Sequence, residues 1–187
     1  MTRTKFPASE IDWEDDSGVI AFTEYQKKRK TRERIKDDIS KVISLSPKDW
    51  ILIFIHANKG RVLKVPLFKH LFIFSKRTGL DKMFNWYPGD YGPHCVDIEN
   101  ALDKLDEEGV IKMEIGTTAN ERIYKRYILK DTKRGEELWN LLPEKFKSVI
   151  LEIISEFGDS DIEDLLHYTY SAYPEYAVKS KFQPSKI

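Results

Sequence analysis

The chain has a single cysteine, Cys95, in 187 residues. An internal disulfide is therefore excluded, which fits a reducing cytosol. Long apolar runs are missing too. The longest is Trp50 to Ile55, six residues, whereas a spanning helix needs about 20. No membrane span is expected. The opening MTRTKFPASEIDWEDD holds no apolar stretch, so no signal peptide is expected either. An excess of charge of one sign is also lacking: Lys+Arg is 31 and Asp+Glu is 31. A generally basic nucleic-acid binder is not indicated, and any such role must rest on local patches.

Several signatures of chemistry are absent as well. There is no Walker loop, no Gly-rich dinucleotide motif and no G-x-S-x-G,. His56, His70, His94 and His167 are scattered, without the C-x2-C or H-x3-H spacings of zinc ligands. Asp159-Ser160-Asp161 lacks the rest of a calcium loop, and helix capping explains it better. A nucleophilic Cys95 has no histidine at a telling distance in the sequence. The expectation is a protein that is no enzyme, with no cofactor and no metal site.

What is present is charge in islands. Residues 1–26 carry two cations against six acids. Residues 27–36, KKRKTRERIK, set Lys27, Lys28, Arg29, Lys30, Arg32, Arg34 and Lys36 against Glu33 alone. Residues 109–134 hold seven cations and three acids. Between 136 and 175, ten acids face only Lys145 and Lys147. Such runs serve as solvated faces as readily as binding patches.

The periodicity predicts an irregular arm over 1–22 and a helix over 23–44, with Ile35, Ile39, Val42 and Ile43 as its apolar stripe. Ser46-Pro47-Lys48-Asp49 is a helix start with a capping-box pattern, and Asn58-Lys59-Gly60 a stop. Pro66 is expected to open a second helix, striped by Leu67, Leu71 and Phe74 and ended by Gly79. Phe84, Trp86 and Tyr87 suit a short strand before a Pro88-Gly89-Asp90 turn. Pro93 is expected to open a third helix, with Ile98, Ala101, Leu102 and Leu105 inward and Gly109 as its stop. Ile111, Met113 and Ile115 then alternate with Lys112 and Glu114, a half-buried strand. After the turn GTTANE the strand returns over 122–129. Three helices follow: one after Thr132 with Leu138, Trp139, Leu141 and Leu142, one over 143–157, and one from a Ser160/Glu163 capping box.

This order is that of a winged helix. Three short helices cannot enclose a core, and a hairpin covers the open side. The expected fold is mainly α with a small β-hairpin: an N-terminal arm and basic helix (1–45), a winged helix-turn-helix core (46–130) and C-terminal helices (131–187).

Tyr91-Gly92-Pro93-His94 resembles the YGPY-like motif of the YwgA-like and Panacea winged-helix families, the latter including SocA-type antitoxins. In those families the motif precedes an acidic helix and a glycine-apolar-apolar step, here Gly109-Val110-Ile111. Leu67-Phe68-Lys69 stands where they carry an LQK-like helix, and LLHYTYSAYPEYAVKS resembles the YwgA-like tail. Phe68 and His94 depart from the pattern, and the basic segment 27–36 has no counterpart in it. The resemblance implies the fold more than an activity. Turn chemistry alone accounts for the motif: Gly92 for a tight turn, Pro93 for a helix start, and Tyr91 packed beneath.

The remaining functional signal is local. Arg122, Lys125 and Arg126 lie on the returning strand with Tyr124 and Tyr127 interleaved, cations for phosphate and rings for stacking,. Against this, the outer positions of the third helix are Asp97, Glu99, Asn100, Asp103, Lys104, Asp106, Glu107 and Glu108, six acids and one base. Phosphates would repel such a helix from a major groove. The expectation is thus a cytoplasmic winged-helix regulator that binds DNA through the wing residues and Lys27, Lys28, Arg29, Lys30 and Arg32. Its alternative is a protein-interaction module of antitoxin or adaptor kind, whose partner docks on the acidic third helix.

Overall fold

The computed structural model describes residues 23–24, 26–27, 29–30, 40, 42, 44–118, 121, 123–158 and 162–181. The chain divides into two units, Met1–Val42 and Ile43–Ile187. In the first, the described residues between 23 and 42 are helical, as the stripe predicts. The expected arm over 1–22, and Ile35, Ile39 and Ile43 of the stripe, lie outside the described residues.

The second unit is mainly helical with small antiparallel sheets. Helix α1, Pro47–Ala57, starts as the sequence requires. The Ser46 side chain accepts from the Asp49 amide, and the Asp49 carboxylate accepts from the Ser46 amide. The cap decides against a strand for WILIFI. All six residues from Trp50 to Ile55 are buried, because α1 is packed on several sides by other elements. Each buried side chain of this size contributes roughly 1.5–3 kcal/mol.

Strand β1, Arg61–Leu63, was not legible in the sequence. It leads directly into α2, Lys64–Thr78, so α2 begins two residues before Pro66. Pro66 is the third helical residue, where an amide has no intrahelical partner to lose. Gly79, left-handed at φ 71°, ends α2.

The next segment corrects the expectation most. The strand foreseen at Phe84 begins only at Tyr87, and Pro93 opens no helix. Instead β2, Tyr87–Gly89, and β3, Gly92–His94, form a tight antiparallel hairpin in which Pro88 faces Pro93. Prolines are tolerated in so short a sheet because both strands are edges. Helix α3 is Val96–Glu107, capped by extended Cys95, and it buries Ile98, Ala101, Leu102 and Leu105. Gly109, at φ 69°, turns the chain out of it.

Strands β4, Ile111–Thr117, and β5, Ile123–Leu129, form the expected hairpin. β1 pairs on the far side of β5, giving the order β1-β5-β4. The inner face holds Val62, Ile111, Tyr127 and Leu129. Ile115, expected to be buried with Ile111, shares that face but is 64% exposed, because it lies beyond the edge of the core.

Helices α4, Thr132–Leu141, α5, Glu144–Phe157, and α6, Ile162–Ala172, complete the unit. Leu141 is exposed rather than inward, and Leu142, just past α4, is buried instead. The expected Ser160 cap lies outside the described residues. Among the described residues, no helix is long and apolar enough to cross a membrane.

Candidate functional site

The β4–β5 hairpin separates the residues expected to act together. Successive side chains on a strand point to opposite faces. Lys125 is therefore exposed on the face of Ile123 and Tyr127, while half-buried Arg126 lies on the face of Tyr124. The Arg126 guanidinium sits 5.3 Å from the Tyr124 ring centroid. Tyr127 is buried, which corrects its expected role as a stacking ring. Burial, with the nearby charge of Asp103, Glu99 and Asp106, pushes its phenol up to about 12. Arg122 lies outside the described residues, as do Lys28 and Arg32. Lys27, Arg29 and Lys30 are exposed on the helix of the first unit.

The outer face of α3 is less acidic than its sequence suggests. Glu99 and Asp106 are half-buried. Asp106 accepts from the Met113 amide at 2.8 Å. Glu108 pairs with Lys48, and Asp97 accepts from Asn85 at 3.0 Å. Exposed on this helix are Val96, Asp97, Asn100, Asp103, Lys104 and Glu107.

The Tyr91-Gly92-Pro93-His94 segment builds a different site. Tyr91 is 54% exposed and does not pack beneath a helix, contrary to expectation. Gly92 stands at φ +82°, and a Cβ there would lie 2.5 Å from Cε1 of Tyr170. The glycine thus serves both the turn and a close approach. Pro93 is buried, and its carbonyl accepts a hydrogen bond from Lys69 Nζ at 3.0 Å. The His94 ring stacks on Phe68, with centroids 5.0 Å apart and planes 5° from parallel. Tyr87 meets the same imidazole edge-on at 5.3 Å. His94 Nε2 lies 2.9 Å from Glu99 Oε2, and Glu99 also binds Lys64. Hydrogen bonding from Lys64 foremost, then from His94, holds the Glu99 carboxyl below its usual range against the opposing effect of burial.

The motif, with Phe68, Lys69 and Tyr87, walls a cleft of about 580 Å³ between α2, the β2–β3 hairpin and the start of β5. Lys69 lines it while only 3% exposed. Burial pulls its ammonium down to about 7. The wing residues Ile123, Tyr124 and Lys125 form another wall. Sequence reasoning missed Lys69 and its neighbour His70. The signal was there: two basic residues inside the apolar run LFKHLFIF, at positions buried on every side of α2. Among the described residues, no group of three His, Cys, Asp or Glu side chains could hold a metal ion.

Comparison with protein-family models, curated proteins and solved structures finds no match to this chain.

Proposed function

We propose that residues 46–130 form a winged-helix core and that the protein is an interaction module for a basic protein partner, of antitoxin or adaptor kind. The order α1-β1-α2-β2-β3-α3-β4-β5, a winged-helix order with one extra hairpin before α3 and with β5 central in its sheet, supports the core assignment,. In such a core α3 occupies the position from which a helix would enter a major groove. The observation that carries the reading is the face it offers there: Asp97, Asp103 and Glu107 exposed, with Lys104 the lone exposed cation of the helix. A face of this sign repels phosphate and attracts a basic protein surface. Exposed Ile115 and Ile123 at the end of the wing add apolar area to the same module.

The second reading, a DNA-binding regulator, rests on exposed Lys125 and on Lys27, Arg29 and Lys30. One experiment separates the two. Asp103→Lys with Glu107→Lys is expected to leave circular dichroism unchanged and to abolish co-purification of proteins retained by the native chain. Anisotropy with a labelled duplex is expected to show no salt-sensitive binding by the native chain. Duplex binding whose log–log salt slope falls by about 2 in Lys125→Ala with Arg126→Ala would establish the DNA reading instead.

A further inference from the structure

We propose that the cleft beside the β2–β3 hairpin is a binding site for a small organic anion: a flat apolar body carrying a carboxylate, phosphate or sulfonate, with its charge on Lys69. Lys69 is 3% exposed. Burying an ammonium is expensive unless it is paired and fully hydrogen-bonded. An ammonium carries three donors, and among the described residues the Pro93 carbonyl is its partner. Two of its donors are thus left by the described residues for a ligand,. One neutral carbonyl does not offset the desolvation of a charge, whereas an anion entering the cleft would.

The rest of the cleft fits that anion. Lys125 and Lys179 also line it, as does Lys64, whose charge is paired with Glu99. Asp90 is the acid among its described lining residues, and Lys181 holds that carboxylate at 2.6 Å. The balance left to a ligand is positive. The Phe68–His94 stack, braced edge-on by Tyr87, offers a rigid flat wall, and Ile123 adds apolar surface to the lining. Mostly apolar walls with few convergent polar groups are the usual make-up of a small-molecule site. Glu99 fixes the imidazole without projecting a free charge, because it is shared between His94 and Lys64.

The test uses the 187-residue chain, labelled with nitrogen-15, and three probes that share one ring: benzoate, benzyl alcohol and benzylamine. Benzoate at millimolar concentration is expected to give saturable shifts at Phe68, Lys69, Gly92, His94 and Tyr124. It should bind at least tenfold more tightly than benzyl alcohol, and benzylamine should not saturate. Lys69→Met, close to lysine in length and apolar, should keep the dispersed spectrum and lose the preference for benzoate. Ile123→Glu changes an exposed side chain and places a carboxylate at the mouth of the cleft; it should weaken benzoate at least tenfold. Equal affinity for benzoate and benzyl alcohol, shifts scattered away from the cleft, or benzoate binding indifferent to Ile123→Glu would each overturn the proposal.

Discussion

Lys69 and His70 stand side by side on α2, buried, and point about 100° apart as neighbours on a helix must,. Lys69 lines the anion cleft, and His70 lines a smaller one of about 340 Å³ with Arg61 and Arg126. Neither ring nitrogen of His70 has a hydrogen-bond partner among the described residues, and burial pulls its pKa down to about 4. In both groups burial makes the folded chain hold the proton less tightly than the unfolded chain does. The unfolded chain therefore binds more protons between the folded and unfolded values, and stability rises with pH across each window. For Lys69 the window runs from about 7 to 10.5; for His70 it runs from about 4 to 6.5. Lys69→Met should thus stabilise the protein by a few kcal/mol near pH 7, an advantage that shrinks toward pH 10. His70→Leu should gain on the native chain as pH falls below 6.5. Urea midpoints measured across pH for all three proteins check this, and differences that do not vary with pH would refute it.

Among the elements, the two hairpins divide what was legible from what was not. α1 announces itself through Ser46, Pro47 and Asp49, α3 through the spacing of its four buried residues, and β4 through alternation. β1 has three residues, too few to show a period, and becomes a strand only because β5 lies beside it. Pro93 misled for a physical reason. A proline before an apolar-periodic segment suits a helix start, but Gly89 and Gly92 close a hairpin first and leave Pro93 in an edge strand. The cleft was invisible for a related reason. Its walls come from α2, the β2–β3 hairpin and β5, which the sequence holds far apart. Gly92 and Gly109 let the hairpin geometry be tested. Both have φ above +60°, but a Cβ at Gly109 meets nothing within 4 Å whereas one at Gly92 strikes the Tyr170 ring. Gly109→Ala should cost about 1–2 kcal/mol for the left-handed backbone alone. Gly92→Ala should cost roughly 3 kcal/mol or more, because displacement of a packed ring is added. Denaturant midpoints of the two variants give the comparison, and equal losses would deny the contact.

At the scale of the molecule, residues 43–187 form one unit around a shared core. Aromatic contacts run from Trp50 through Phe74 to Phe146, and from Trp86 through Phe72 to Tyr173. They tie α1, α2, the segment before β2 and the C-terminal helices together, so core elements should open together. Cys95 stands at the N-cap position of α3 inside this core, fully buried, and burial pushes its thiol up. In the native protein the thiolate that would react is both scarce and enclosed. Iodoacetamide should therefore leave the folded chain unmodified and label it at the rate of global unfolding, with the same denaturant dependence as the loss of far-ultraviolet ellipticity. Fast labelling under native conditions would mean that α3 detaches by itself. Since the chain has no other cysteine, that one sulfur is a clock: each alkylated molecule marks a single opening of the core, countable by mass without any added probe.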